Sequence, residues 1–284
     1  MKFPLIKNAN FGTKLLSFAL LLIFGLLFSS VLGIFISSLR GGSIMDATNL
    51  QITQICNQVV GFLMPPVLYV MLVHEQPLNY MGFNKFPAWS LLGVVAIYSV
   101  LPFNGWVAEW NENIVFPEAL SALEAKLKAM HELYGSTSDT LMEGSSLALS
   151  ILIFGLLAAV SEEVLFRSVI QKALVSLFKN AHIGILVTAI IFSAFHMDFF
   201  GFFPRFIYGL LLGYMFWLSG SIWSSILMHF VNNSVIVVLE FYKIDSESFG
   251  QTDNAIVIIL SLIVTVAIFI ACNRLKNKTE QLIN

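Results

Sequence analysis

The sequence predicts an all-α fold, a polytopic membrane helical bundle with about eight transmembrane helices, and three observations carry that prediction. Charged residues make up only 11% of the 284-residue chain and hydrophobic ones 57%, against about 25% and about 45–50% in soluble domains. Mean hydropathy is +0.84, with 26 Phe. Eight apolar runs lie near the length of about 20 residues that a spanning helix needs. A set of 15 Lys and Arg with 17 Asp and Glu cannot cover the surface of a soluble fold. That excludes a soluble enzyme, a disordered chain and a nucleic-acid binder, which needs a basic excess. The two cysteines, Cys56 and Cys272, make no disulfide framework and read as structural thiols.

The first run, 15–38, follows Lys2, Lys7 and Lys14. It is too long for a signal-peptide core of about 7–15 residues, so it reads as an uncleaved span. The next runs are 52–74 and 88–108. Run 147–178 is long and charged in its middle. Runs 183–198 and 204–219 are short and bracket 199–204, a tight turn or partly re-entrant piece. Runs 221–240 and 254–273 complete the set. The chain divides into an N-terminal three-helix membrane segment (1–110), an extramembrane region (111–143) and a helical core (144–284).

Lys and Arg concentrate on cytoplasmic loops. Here Lys172, Lys179, Arg274, Lys276 and Lys278 fall on the side of the basic N-terminus. The alternate loops are acidic, with Glu109, Glu112, Glu118, Glu124, Glu132, Asp139 and Glu143 against Lys126 and Lys128, and Asp245, Glu247 and Asp253 against Lys243. Both termini are therefore expected in the cytoplasm. Within 111–143, Pro117 is suited to the first turn of a helix. Leu120, Leu123, Leu127 and Met130 form an amphipathic stripe, and Gly135 is expected to end it. This helix should lie on the outer surface or cap the bundle, with His131 as a solvated residue on its polar side. No internal repeat supports an inverted-repeat transporter.

Charge inside a span costs at least about 2.5–3.5 kcal/mol per residue on insertion scales and marks function by default. The in-span polar residues gather in three runs: Glu162, Glu163 and Arg167 in the fourth, His196 in the fifth, and His229 with Asn233 in the seventh. His74 and His182 fall at span edges. Glu163 and Arg167 are four apart and can form an internal ion pair, a bundle-locking strut. Glu162 is turned about 100° away and can face a separate cavity. His229 and Asn233, also four apart, can aim at one point, whereas Asn232 is rotated off that face toward another helix. Phe192, four before His196, is expected to pack on its ring face. At about 1.5 Å per residue, the four polar positions reach a shared level in mid-bilayer.

One carboxylate, two imidazoles and an amide can activate water and hold an oxyanion. Glu162 would take the proton, with His196 orienting the water, and His229 and Asn233 would donate to the tetrahedral oxyanion. No G-x-S-x-G nucleophile elbow is present, and neither cysteine is paired with a histidine.

The motifs E-E-x-x-x-R (Glu162 to Arg167), F-x-x-x-H (Phe192 to His196) and H-x-x-x-N (His229 to Asn233) occur in this order, each in an apolar run. This triplet resembles the signature of the CAAX protease and bacteriocin-processing family, also called CPBP or ABI. Its intramembrane glutamic endopeptidases are related to the type II CAAX prenyl protease. The resemblance covers about 147–240. It implies Glu162 and His196 as the water-activating pair, His229 and Asn233 as the oxyanion hole, and Glu163, Arg167 and Phe192 as supporting residues. It also implies metal-free chemistry with no cofactor, on a membrane-associated peptide or protein substrate within the lipid bilayer. Short loops and the lack of an organellar targeting segment fit a bacterial inner membrane. The family also holds immunity and scaffolding proteins, so a non-catalytic scaffold is one alternative and a proton-coupled carrier is another. A zinc protease is the third; it lacks H-E-x-x-H, and Asn is a poor zinc ligand.

Overall fold

Helix starts are set by side-chain caps. Asn10 accepts from the Thr13 N–H and opens α1 (Phe11–Arg40), and Asp46 accepts from the Asn49 N–H and opens α2 (Ala47–Val73). In the computed structural model, residues 4–43, 45–142, 144–244 and 249–283 are described. Lys2, Glu143, Asp245 and Glu247 of the charge pattern lie outside them. The remaining principal helices are α3 (Ala88–Ser99), α4 (Leu101–Glu112), α5 (Ser121–Met142), α6 (Leu147–Phe178), α7 (Ala181–Ala194), α8 (Phe202–Ser219), α9 (Ile222–Phe241) and α10 (Ala255–Ile283).

All eight apolar runs are helical, but they are not eight equal spans. Six helices among the described residues are long and apolar enough to cross a membrane, and the pair α3–α4 makes a seventh if counted as one bent span. The chain is an integral, multi-pass membrane protein. The α3–α4 pair bends by 44°, because Pro102 has no N–H to continue the ladder and its ring crowds the preceding turn. Just past the bend, the Phe103 N–H is taken by Ser261 Oγ of α10 at 3.1 Å. The fifth run yields only the fourteen residues of α7, roughly 21 Å of helix against a hydrocarbon core of about 30 Å. His196 therefore lies beyond the helix, in the turn joining α7 to α8.

Three stretches widen to π geometry: Asn57–Leu63 in α2, and Ile151–Leu157 and Val164–Gln171 in α6. Such widenings recur at functional sites, and here they flank the glutamate pair and meet it from α2. In α2 the widening runs into Pro65 and Pro66, which supply no N–H. Helix α1 packs directly on this stretch. A Cβ on Gly25 would stand 2.5 Å from Pro65 Cγ, and one on Gly61 would stand 2.8 Å from Ser29 Oγ. Small residues at these contacts let the backbones approach. Helix α6 then packs between α2 and α9, α7 pairs with α8, and α10 closes the side formed by α3 and α4.

Helix α5 corrects the sequence reading in one respect. Pro117 precedes a 3-10 turn at Glu118–Leu120, but the helix passes through Gly135 to Met142. An exposed glycine costs a helix interior only about 1 kcal/mol. That is offset here, since Leu141 O accepts from Gln51 Nε2 of α2 at 2.7 Å. Helix α5 thus caps the bundle and lies against α2 and α9.

Candidate active site

On α6 the two glutamates part as their 100° offset requires. Glu163 is fully buried, with Oε2 accepting from Arg167 Nε at 2.9 Å and Oε1 accepting from His229 Nδ1 at 3.0 Å. Arg167 is also fully buried. Its Nη atoms have no hydrogen-bond partner among the described residues, and its guanidinium carbon sits 5.3 Å from the Phe192 ring centroid. The expected ion pair is present, and it also holds an imidazole.

Glu162 turns into a cavity of about 480 Å³ that reaches from α2 to α9 beneath α5. His196, His229, Asn232 and Asn233 line the same cavity, so the four polar positions singled out from the sequence converge there. His229 Nε2 stands 3.8 Å from Glu162 Oε2, too far for a hydrogen bond. His196 Nδ1 lies 3.0 Å from Phe192 O. A carbonyl only accepts, so Nδ1 donates and Nε2 of the neutral ring keeps its lone pair for the cavity. Asn233 Nδ2 spends one hydrogen on Phe154 O at 3.1 Å, leaving the second for another acceptor.

Phe192 packs against His196 as expected from their spacing, with ring centroids 5.3 Å apart and the ring planes at 65°. It also stands at 6.0 Å and 76° from the His229 ring, so one phenyl group packs against both imidazoles. One expectation changes. Asn232 is not turned away: it lines the cavity and donates to Asn233 Oδ1 at 3.4 Å.

The sequence reading missed three contributors. The first is an amide stripe on α2, where Gln54, Asn57 and Gln58 line the cavity and Gln58 Nε2 donates to Glu162 Oε1 at 3.4 Å. The spacing of Gln51, Gln54, Asn57 and Gln58 within an apolar run is a visible signal, lost to a search limited to charge and histidine. The second is Arg205 at the start of α8, which lines the cavity and pairs with buried Asp198 at 2.7 Å. The third is α5 itself. Tyr134 and Met142 line the cavity, and the Tyr134 ring covers Arg205 at 4.8 Å. His131 is not simply solvated, because its Nδ1 lies 2.9 Å from Asp198 Oδ1.

The turn carrying His196 is braced from several sides. Asn111 of α4 donates to Phe199 O at 3.1 Å and accepts from the Phe203 N–H at 2.9 Å, and Ser193 Oγ donates to Phe202 O at 2.6 Å. Met197 sits at φ 54°, a left-handed conformation uncommon for a side-chain-bearing residue. No group of three or more His, Cys, Asp or Glu suited to holding a metal ion occurs among the described residues. Both cysteines are free and buried.

Residues 144–235, roughly a third of the chain, match a family model described as type II CAAX prenyl endopeptidase Rce1-like. This stretch resembles a CAAX endopeptidase of the Rce1-like kind, and it contains all three motifs. No curated protein and no solved structure matches the chain.

Proposed function

We propose that the protein is an intramembrane endopeptidase that hydrolyses a peptide bond of a membrane-associated peptide or protein by direct attack of water. The observation that carries this reading is the convergence of Glu162, His196, His229 and Asn233, from α6, the α7–α8 turn and α9, on one cavity inside the Rce1-like stretch. Glu162 takes a proton from water while His196 Nε2 accepts the other water hydrogen and fixes its orientation. The water oxygen bonds to the scissile carbonyl carbon, and the carbonyl oxygen becomes the oxyanion. On collapse the C–N bond breaks, and the protonated Glu162 delivers its proton to the leaving amine. His229 and the second Asn233 hydrogen supply the oxyanion donors. Because His229 Nδ1 donates to Glu163, its Nε2 donates only when the ring is doubly protonated.

The cavity suits a peptide segment better than a small polar solute. Phe62, Phe154, Leu212 and Ile236 give it apolar wall, and the α2 amides give it hydrogen-bonding capacity along one side. We read the chemistry as needing no metal. Glu163 is committed to Arg167 and His229, and Asn233 is a poor ligand for zinc. Cytoplasmic termini belong to the same proposal, supported by the Lys and Arg asymmetry of the loops with α7 counted as a short eighth traverse, and a bacterial inner membrane is proposed from the short loops.

The test is purified protein in detergent, incubated with a library of membrane peptides beside Glu162→Ala and His196→Ala. The expected result is cleavage by wild type, unaffected by EDTA, and its loss in both variants. Cleavage unaltered by either substitution contradicts the mechanism. Activity abolished by EDTA and restored by zinc replaces it with a metal mechanism.

A further inference from the structure

We propose that Gln58, on α2 and outside the Rce1-like stretch, is the positioning residue for the Glu162 carboxylate. The inference rests on the hydrolytic reading above and adds to it a group from the N-terminal helices.

The geometry fixes the amide in one orientation. Ser161 Oγ donates to Gln58 Oε1, so the amide oxygen faces Ser161 and the amide nitrogen faces Glu162. Ser161 is fully buried, and its Oγ also lies 2.8 Å from Leu157 O, so its single hydrogen is shared between the two acceptors. Gln58 is 5% exposed, and an amide so enclosed cannot exchange these partners for water at little cost. Its Nε2 donates to Glu162 Oε1 at 3.4 Å. The other oxygen, Oε2, is left toward His229 and the cavity.

The backbone beneath Gln58 is held as firmly. It lies in the π-widened stretch of α2, where neighbouring Asn57 Oδ1 accepts from Ser29 Oγ of α1 at 2.9 Å. Helix α1 packs closely against that stretch through Gly25 and Gly61. A relay of contacts thus runs from α1 through α2 to the carboxylate: Ser29 to Asn57 by side chain, then Gln58 to Glu162. A general base must present its oxygen to water within hydrogen-bond reach, and small misplacements of catalytic groups carry large rate costs. Gln58 removes one rotational freedom from Glu162 while its own amide oxygen and one amide hydrogen are held by Ser161 and Glu162.

Gln58→Leu keeps much of the side-chain volume and deletes both polar atoms; Ser161→Ala removes only the anchor of the amide. Both are made in the full-length protein, and two readouts are taken. The first is kinetics on the fastest-cleaved peptide of the library described above. The second is the Glu162 carboxylate stretch, isolated by infrared difference between each protein and the same protein carrying Glu162→Gln. Gln58→Leu is expected to lower kcat about tenfold at unchanged KM and to shift the carboxylate band. Ser161→Ala gives the same pattern at about threefold, and it carries the test alone if Gln58→Leu does not fold. An unmoved band overturns the proposal whatever the kinetics, as does an unchanged kcat where the band has moved. If wild type cleaves no peptide and the band still follows Gln58, the hydrolytic reading falls while the Gln58–Glu162 contact stands.

Discussion

The bundle contains the same polar arrangement twice, in two different settings. In the interior, the Glu163 carboxylate accepts from Arg167 on one oxygen and from His229 Nδ1 on the other, at 2.9 and 3.0 Å. At the α5 end, the Asp198 carboxylate is bound by Arg205 on one oxygen and by His131 Nδ1 on the other, at 2.7 and 2.9 Å. Both carboxylates are fully enclosed, but the histidines are not alike: the His229 side chain is 6% exposed and that of His131 is 36% exposed. The inner set comes from two spans and holds an imidazole against the cavity. The outer set joins helix α5 to the turn that carries His196. One constellation therefore serves to orient a ring in the first case and to fasten a helix in the second. Enclosure and the identity of the attached element separate the roles.

That contrast is open to direct disruption. Arg167→Met strips the positive partner from a carboxylate with no access to water, and breaking a buried pair typically costs about 3–5 kcal/mol. Denaturant unfolding in detergent should show a loss of that size, and the released His229 should lower cleavage as well. Arg205→Met leaves Asp198 with His131 still in place. The expected loss is about 1–3 kcal/mol by the same measurement. An equal loss for the two variants would mean that enclosure does not distinguish the two sets. His131→Ala removes a half-exposed partner, worth about 1 kcal/mol or less. Its signature is faster amide exchange across residues 131–142 of α5, with the interior helices unchanged.

The smallest effect is a pH dependence. Burial pushes the Asp198 carboxyl up, but the charge and hydrogen bond of Arg205, joined by those of His131, outweigh it and hold the group below its ordinary value. A carboxylate lowered in the folded state contributes stability in full above its unfolded value of about 3.9 and loses it as pH falls through the folded value. The stability difference between wild type and Asp198→Asn should therefore shrink as pH falls below about 5. A difference that grows on acidification below about pH 5 would contradict the assignment.

Hydropathy made the helices legible and charge made the inner set legible, since both reduce to local spacing. The i,i+4 relation of Glu163 and Arg167, and that of His229 and Asn233, survive intact because each pair lies on one helix. The outer set was hidden because His131 and Asp198 are 67 residues apart, and only the docking of α5 brings them together. The shortness of α7 was hidden for a different reason: Phe195 and Met197 continue the apolar run, and a positive φ at Met197 leaves no trace in hydropathy. The α2 amides were visible but carry no charge, so the cost that marks buried ions did not single them out.

The central claim is that Glu162, unlike its neighbour Glu163, is the base that activates water. The isosteric Glu162→Gln keeps the size of the side chain and leaves both carboxylate–Arg–His sets untouched. The account predicts that its rate on a peptide cleaved by wild type falls by at least about 10²-fold, with the unfolding midpoint unchanged. Cleavage by Glu162→Gln at the wild-type rate would contradict it.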